Sequence, residues 1–310
     1  MGGGSYSVKD WTKFSTSRGY DKASTKTEHI YSTRNLVPEL DPAKFQFRES
    51  VDSAEHPETT PIIIGLDVTG SMSYVLDVMA RQGMKTICEE IYKRKPVTDP
   101  HICSLGIGDV EWDTAPLQAT QFEADIRIFE QLEKLYLEKG GGGNNYESYI
   151  LAWYFAAYKT KTDSFKKRGK KGFIFTIGDE QITPKIESSA IFKFLGQQGH
   201  TVTAPGLFDL VSIEWNVFHV IVKEGNYASH NYKATFDSWA SVISPQHILP
   251  LDDHKKVGEV IVSALEVAAG KSLSEVAASW DGSISVVVGK ALENAVADVV
   301  SRQKDIDSYL

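Results

Sequence analysis

Residues 61–73, which read PIIIGLDVTGSMS, decide the fold predicted for this chain. The apolar run at 62–66 is typical of a strand that is buried on both faces of a parallel sheet. A polar, glycine-containing turn follows at once and carries Asp67, Thr69 and Ser71. Carboxylate and hydroxyl oxygens at the carboxyl end of a central strand are suitable ligands for Mg²⁺, Mn²⁺ or Ca²⁺. The stretch therefore predicts a strand that leads into a set of cation ligands.

Further strands and helices alternate along the chain after this stretch. Apolar runs predict strands over 101–107, 117–119, 172–177, 215–222 and 247–251. Helical periodicity predicts helices over 74–94, 146–158 and 254–269, and a shorter one from Ser189. Thr120 and Glu123 have the spacing of a capping box, which predicts one more helix from there to about residue 139.

This alternation indicates the fold class. Strands joined through helices imply right-handed crossovers and parallel pairing. We therefore expect an α/β fold with a Rossmann-like, doubly wound, mostly parallel central sheet and helices on both faces.

Two later loops are expected to meet the first one at the same edge of the sheet. The loop 140–145 reads GGGGNN and ends in Asn144 and Asn145, and GDE at 178–180 follows the strand GFIFTI. Asp67 and Asp179 would bring two negative charges, and the glycines would let the Asn side chains approach closely. Two carboxylates on a divalent ion leave room for one further anionic ligand from outside.

At these residues the sequence resembles the von Willebrand factor A (VWA) family, over roughly residues 60–250. Its metal-ion-dependent adhesion site has the pattern Asp-x-Ser/Thr-x-Ser, a Thr from a second loop and an Asp from a third. DVTGS matches the first part, with Asp67, Thr69 and Ser71, and TIGDE supplies Asp179 as the last. The resemblance implies a Rossmann-like sheet, a divalent cation at its upper edge, and a partner carboxylate that completes the coordination.

The second loop departs from the family pattern. The Thr expected near residues 143 and 144 is missing, so Asn144 or Asn145 is the candidate oxygen ligand, with Glu147 assisting through water. Glu180 stands where the family often has Gly. Asp109 and Asp113 lie in the loop after the second strand and are interpreted as turn residues.

Composition divides the chain into three predicted parts: an extended N-terminal arm over 1–59, a VWA-like domain over 60–270 and a C-terminal helical extension over 271–310. The arm is rich in Ser, Thr, Lys and Asp, yet it carries scattered aromatic residues. Such aromatics would dock on the main domain or on a neighbouring subunit, so an oligomer formed through the arm is one possibility. The tail contains a second amphipathic stretch over 286–300.

Net charge, hydropathy and cysteine content limit the compartments and the partners that fit this chain. The net charge of −8 argues against general nucleic-acid binding, and no apolar run approaches the length of a membrane span. Cys88 and Cys103 fall inside predicted elements and are interpreted as buried, reduced thiols, and no secretory signal precedes them. These features favour a cytoplasmic protein.

Motifs in the chain argue for or against three classes of function. A haloacid-dehalogenase-type phosphohydrolase needs a second Asp as general acid, but that position holds Thr69. The GKS at 270–272 follows a helix instead of a strand and lacks the first Gly of a P-loop. We therefore expect a non-enzymatic interaction module whose partner presents an acidic residue. The alternatives are a structural component of a larger assembly, such as a phage particle, and a Mg²⁺-dependent phosphohydrolase.

Overall fold

The computed structural model describes residues 3–20, 22, 24–138 and 144–296. Within these ranges the strands are β1 (Arg48–Ser50), β2 (Thr60–Asp67), β3 (Pro100–Ile107), β4 (Leu117–Ala119), β5 (Tyr146–Glu147), β6 (Thr160–Thr162), β7 (Gly172–Gly178), β8 (Gln181–Ile182), β9 (Lys185–Ile186), β10 (Val202–Thr203), β11 (Trp215–Val222) and β12 (Ile248–Leu251).

A six-stranded sheet with the order β12-β11-β7-β2-β3-β4 forms the centre of the molecule. Only the pair of β3 and β4 in this sheet is antiparallel, and the other neighbours are parallel. Every residue of β2, β3 and β7 is buried, as expected for parallel strands with both faces covered. The predicted α/β class with a mostly parallel central sheet is therefore confirmed.

Helices surround this sheet. They are α1 (Val8–Arg18), α2 (Thr27–Ile30), α3 (Ser73–Val78), α4 (Met84–Arg94), α5 (Arg127–Leu132), α6 (Ile150–Tyr158), α7 (Asp163–Arg168), α8 (Ser188–Leu195), α9 (Ala204–Val211), α10 (Ala228–Ala240), α11 (Val257–Ala268), α12 (Leu273–Ala278) and α13 (Gly282–Ala291). A π-helical segment over Met79–Gly83 joins α3 to α4, so the helix predicted over 74–94 is present with one wider turn inside it.

Two apolar clusters lie on opposite sides of β2, because successive side chains of a strand point to opposite faces. Ile62 and Ile64 belong to one cluster, together with side chains of α4 and α11. Ile63 belongs to the other, together with side chains of α6 and α9. Helices therefore pack against both clusters.

The register of the central strands determines which loops meet. Asp67 lies beside Ile107 of β3, and Leu66 lies beside Ile177 of β7. Since these three parallel strands end at the same level, the loops that follow them share one edge of the sheet. We refer to it as the carboxyl edge.

The predicted capping box at Thr120 and Glu123 is wrong. The Thr120 hydroxyl accepts a hydrogen bond from the Ser104 backbone N–H at 2.8 Å, and Glu123 pairs with Ile102 in an isolated bridge. The helix begins only at Arg127. Backbone pairing with the neighbouring strand thus takes the groups that a helix cap would have used.

The N-terminal segment 1–59, predicted as an extended arm, contains the 11-residue helix α1. Trp11 is buried, and its ring centroid lies 4.4 Å from that of Phe129 in α5. The Arg18 guanidinium forms an ion pair with Glu133 at 2.9 Å. The segment therefore docks on its own chain, while its boundary and an oligomer formed through it stay predictions.

The described part of the predicted C-terminal extension packs on the main body. The indole N–H of Trp280 donates to the Ser263 hydroxyl of α11 at 2.8 Å, and the Arg94 guanidinium lies 3.7 Å from the Trp280 ring centroid. α13 overlaps the amphipathic stretch predicted over 286–300, the end of which lies outside the described residues.

The structure also bears on the cysteines and on membrane-spanning helices. Cys88 and Cys103 are both buried and free, as predicted. No helix in the described ranges has the length and apolar character needed to cross a bilayer.

His219 of β11 carries an imidazole that is completely buried between elements. Its ring stacks on Trp239 with centroids 3.5 Å apart, and Nδ1 lies 2.8 Å from the Thr176 hydroxyl. Burial lowers the pKa of His219 well below its usual value, so the folded state holds this residue neutral.

This burial predicts a loss of stability on the acid side. Since the unfolded chain takes up a proton that folded His219 refuses, the stability is present above the unfolded pKa of about 6.5 and falls below it. Between about pH 7.5 and about pH 5.5, urea unfolding of the wild type should lose about 1.4 kcal/mol more than that of His219→Asn. Equal losses in the two proteins would contradict a neutral, buried imidazole.

Candidate metal centre

Asp67 is the last residue of β2, and only 2% of it is exposed. Its Oδ1 accepts hydrogen bonds from the backbone N–H of Thr69 at 2.9 Å and from the Thr69 hydroxyl at 2.6 Å. That hydroxyl lies 3.3 Å from the hydroxyl of Ser71. The structure therefore brings the three predicted ligands of the first loop together at the carboxyl edge.

Tyr149, which directly precedes α6, links the first loop to the third. Its buried hydroxyl donates to Asp67 Oδ2 at 3.0 Å and accepts the Glu180 backbone N–H at 3.4 Å. Burial raises the pKa of Tyr149 well above its usual value, so the phenol keeps its proton and remains a donor. Both oxygens of Asp67 are thus held in fixed directions, one by Thr69 and the other by Tyr149.

Asp179 directly follows β7 and is 1% exposed. Its Oδ2 accepts a hydrogen bond from the Tyr227 backbone N–H at 2.8 Å. Its Oδ1 is buried and has no hydrogen-bond partner in the part of the chain that the structure describes. A Cβ on Gly225 would lie 2.2 Å from the Asp179 Cβ, so only glycine lets the loop after β11 come this close. One carboxylate oxygen of Asp179 is left for a ligand.

The two Asn residues of the second loop are placed differently from the first- and third-loop ligands. Asn144 donates from Nδ2 to Asp109 at 2.6 Å, and its Oδ1 accepts the Tyr146 backbone N–H at 3.2 Å. Asn145 is exposed, and its backbone carbonyl accepts the Gln181 N–H at 3.2 Å. Both side-chain groups of Asn144 are therefore occupied at the rim. The glycines 140–143 lie outside the described residues.

Asp109 and Asp113 make the hydrogen bonds of turn residues, in agreement with the interpretation from sequence. Asp109 Oδ1 accepts the Glu111 backbone N–H at 2.8 Å, and Asp113 accepts the Asp109 N–H at 2.7 Å. Burial raises the pKa of Asp113 to about 6. These two carboxyls fold the loop after β3 and add negative charge beside the site.

Glu147, in β5 directly after the second loop, is a further buried acidic residue. It is 2% exposed, and its Oε2 has no hydrogen-bond partner within the described ranges. After burial, the charge of Asp67 is the largest cause that raises the pKa of Glu147.

The helix that the sequence predicts from residue 146 begins later, at Ile150, because Tyr146–Glu147 pairs with β8 as a strand.

The electrostatics of the carboxyl edge are those of an acidic cluster. Burial raises the pKa of each of five carboxyls, namely Asp67, Asp113, Glu147, Asp179 and Glu180. For Glu180 the pKa reaches about 8, and Asp67 and Asp179 are the next causes after burial. Like charges held together out of water favour either protons or a bound cation.

The donor set of these loops fits a hard divalent cation. Carboxylate and hydroxyl oxygens are the ligands that Mg²⁺, Mn²⁺ and Ca²⁺ take, and the unpartnered Oδ1 of Asp179 is a free acceptor beside them. The ligand atoms of Asp67, Asp179 and Glu147 do not all lie within 4.8 Å of one another. Direct coordination by all three carboxylates is therefore not in place in this geometry.

A separate group near the same edge meets that distance condition, with ligand atoms of Glu224, Asp253 and His254 all within 4.8 Å. His254 Nδ1 already lies 2.6 Å from Glu224, and the Asp253 carboxylate accepts the Lys255 backbone N–H. His254 and Glu224 thus form an ion pair, and Asp253 caps a helical turn, so these contacts account for the group without a metal ion. Asp253 thus caps the short helical turn His254–Lys256 that precedes α11.

Sequence reasoning missed two residues that build the site. Tyr149 reads as one more apolar position of a buried helix, and no pattern shows that its hydroxyl reaches Asp67. Gly225 stands alone in a polar loop, where its close approach to Asp179 leaves no periodic signal.

Comparisons with known proteins identify no family for this chain. A scan with protein-family models found no match, and a search of curated proteins found none either. Among solved structures, the pilus adhesin SpaC from Lactobacillus rhamnosus GG in its open conformation aligns at 9% identity with a TM-score of 0.42, over 71% of this chain and 30% of the adhesin. The proximal thread matrix protein 1 of the mussel byssus aligns at 12% identity with a TM-score of 0.42, over 68% of this chain and 46% of that one. The chain thus spans less than half of either protein, and the likeness is weak.

Gly178 is predicted to be essential for the contact between Tyr149 and Asp67. A Cβ at this position would lie 1.9 Å from the Tyr149 hydroxyl oxygen, and the buried ring packs against His219 and Trp239. We expect Gly178→Ala to lower the free energy of unfolding by about 2 kcal/mol or more, measured by urea denaturation.

The matched control is Gly289→Ala. Gly289 lies inside α13 with nothing within 4 Å of an added Cβ. Because Ala favours a helix over Gly, this variant should be neutral or up to about 1 kcal/mol more stable. Equal effects of the two substitutions would contradict the close packing of Tyr149 on Gly178.

Proposed function

We propose that this chain is a VWA-like protein-interaction module that binds Mg²⁺, or else Mn²⁺ or Ca²⁺, through Asp67, Thr69, Ser71 and Asp179. A carboxylate of a protein partner completes the coordination. The observation that carries this proposal is the buried, unpartnered Oδ1 of Asp179 at the edge where Asp67 is also buried. An orphaned buried acceptor beside a second carboxylate is costly unless a cation or a proton satisfies it.

The strand order supports the finer fold class, a Rossmann-like, doubly wound sheet. The chain begins the sheet at β2, moves to β3 on one side, and then forms β7, β11 and β12 on the other. Ligands in such sheets bind at the carboxyl ends of the strands where the order reverses. Asp67 ends β2 and Asp179 directly follows β7, and these two strands adjoin this reversal.

The chain's own residues supply the parts of the site in distinct ways. Thr69 and Tyr149 orient the two oxygens of Asp67, and the backbone of Tyr227 holds one oxygen of Asp179. When bound, the cation supplies a positive centre that an outside carboxylate oxygen can reach. Fixed protein ligands and one open position suit reversible capture of such a partner.

Two exposed aromatic side chains on the carboxyl edge support a protein partner. Trp112 lies in the loop after β3, on the carboxyl edge, and is 59% exposed. Tyr146, at the start of β5, is 38% exposed. Aromatic residues are enriched in protein interfaces, so these two rings would frame the partner that brings the carboxylate.

The proposal is of a non-enzymatic function. Thr69 occupies the position where a phosphohydrolase of the DxDxT type carries its general acid, and a hydroxyl cannot take that role near neutral pH. Steady phosphatase turnover that disappears in Asp67→Ala would overturn this part of the proposal.

Cation binding can be tested directly by isothermal titration of the metal-free protein with Mg²⁺ and Mn²⁺. We expect the wild type to bind, and Asp67→Ala to lose at least about tenfold in affinity. The control Asp209→Ala removes an exposed carboxylate far along the chain in α9 and should bind like the wild type. If the wild type binds neither ion, or if Asp67→Ala binds equally well, the assignment of the site is wrong.

The partner chemistry is tested with N-acetylglutamate as a carboxylate probe and N-acetylglutamine as its neutral control. With Mg²⁺ present, the glutamate derivative should bind and raise the melting temperature, because its carboxylate takes the open position on the cation. Binding that persists after chelation of the metal, or equal binding of the glutamine derivative, would contradict a carboxylate ligand.

A further inference from the structure

A cavity of about 320 Å³ lies where residues near the start of the chain meet the loop 95–99 that precedes β3. Its lining includes Ser5, Glu55 and His56. β2 and β3 begin beside this cavity, whereas the candidate metal centre lies at their carboxyl ends. The cavity is therefore separate from the site described above.

His56 lines this cavity with a ring nitrogen that has no partner. The residue is 4% exposed, and its Nε2 lies 2.7 Å from the Gly4 carbonyl oxygen. Because a carbonyl oxygen only accepts, Nε2 carries a hydrogen and donates it. Nδ1 is buried and has no hydrogen-bond partner among the residues that the structure describes. In the neutral ring, Nδ1 is therefore an unsatisfied acceptor.

Asp99 presents a second acceptor to the same space. Its Oδ1 lies 3.8 Å from His56 Nδ1, which is too far for a hydrogen bond, and Asp99 also lines the cavity. Its backbone φ is 36°, a left-handed conformation that few residues other than Gly, Asn and Asp adopt. Its Oδ2 accepts the Glu58 backbone N–H at 2.9 Å, which fixes the direction of the carboxylate. Strain of this kind is typical of functional positions.

Two acceptors that face each other in this way are satisfied together by a group with at least two hydrogens to donate. A primary ammonium has three N–H donors, and its positive charge offsets that of Asp99. The lining also carries Glu55 against a single cationic side chain, Lys95. A metal ion fits less well, because the ligand atoms of Glu55, His56 and Asp99 do not all lie within 4.8 Å of one another.

The other side chains of the lining suit a carbon chain. Ile91, Val97 and Pro100 are apolar, and the Tyr92 ring lies with them in the lining. The Tyr92 hydroxyl is already used, since it donates to the Ala124 carbonyl at 3.2 Å. Apolar walls with a small number of fixed polar groups are typical of small-molecule sites.

We propose that this cavity binds a small aliphatic primary amine. Its ammonium group donates to His56 Nδ1 and to Asp99 Oδ1, and its carbon chain packs on Ile91 and Val97. The observation that carries this inference is the pair of facing acceptors in one cavity, one of them on a side chain that is 4% exposed. The inference does not depend on the proposed cation site.

The probe is n-butylamine, which is a cation near neutral pH because an aliphatic ammonium has a pKa of about 10.4. NMR titration of the full chain, ¹⁵N-labelled at histidine and held at about pH 7.5, should give a Kd on the order of 1 mM. Binding should shift the Nδ1 resonance of His56, which is identified by its loss in His56→Gln.

Two matched compounds separate charge from hydrogen bonding. The neutral n-butanol has a similar size, and N,N,N-trimethylbutylammonium keeps the charge but has no N–H group. Each should bind at least about tenfold more weakly than n-butylamine, because a charge-assisted hydrogen bond is lost in both. Equal binding of either compound would overturn the proposal.

The variant that tests the carboxylate is Asp99→Asn, which removes the charge and keeps a residue that tolerates the left-handed φ. It should lower the affinity for n-butylamine by at least about tenfold. The control Asp209→Asn removes an exposed carboxylate in α9 and should stay within about twofold of the wild type. If Asp99→Asn does not fold, the comparison of the three compounds in the wild type decides the question alone.

Two further outcomes would overturn the inference. If n-butylamine leaves the Nδ1 resonance of His56 unchanged, the cavity holds water only. If that nitrogen is protonated in the free protein at about pH 7.5, a proton on His56 already satisfies both acceptors. Neither outcome bears on Mg²⁺ binding, and a failure of Asp67→Ala to lose Mg²⁺ would leave the amine site untouched.

Discussion

The contacts at the carboxyl edge depend on the burial of the Asp67 carboxylate at the end of the central strand. A charge that is 2% exposed must be met by donors, and here Thr69 and Tyr149 each hold one of its oxygens. Tyr149 can do so only because residue 178 has no side chain, since a Cβ there would overlap its hydroxyl. The same hydroxyl receives the backbone N–H of Glu180. The Tyr149 hydroxyl therefore joins the end of β2 to the loop after β7 through two hydrogen bonds.

The parallel sheet brings further acidic residues to the same edge as Asp67. Because β2, β3 and β7 end at the same level, Asp67, Asp109 and Asp179 collect at one edge although they are far apart in the chain. The apolar clusters on either side of β2 hold the strands and leave the loops to carry the polar groups. The result is a concentration of negative charge in which burial raises the pKa of five carboxyls, a state that a bound cation would relieve.

The sequence predicts the sheet better than it predicts the loops, for physical reasons. The run IIIGL at 62–66 and the run FIFTI at 173–177 are apolar without interruption, which a strand buried on both faces requires. Helix α1 escaped prediction because most of its residues are polar and only Trp11 and Phe14 are buried. The capping box at Thr120 failed because strand pairing competes for the same groups.

The same contrast holds at the site. DVTGS and GDE are local patterns that can be read directly from the chain. The contacts of Tyr149, Gly225 and Glu147 depend on how distant segments meet, and no spacing in the chain encodes them.

The central claim is that Asp67 and Asp179 hold one divalent cation between them. The most direct measurement is an anomalous difference map from a crystal of the full chain grown with Mn²⁺. The account predicts a peak bounded by Asp67, by Thr69 or Ser71, and by Asp179, with metal–oxygen distances of about 2.0–2.3 Å. A map with no peak there, or with its strong peak at Glu224, Asp253 and His254 instead, would contradict it.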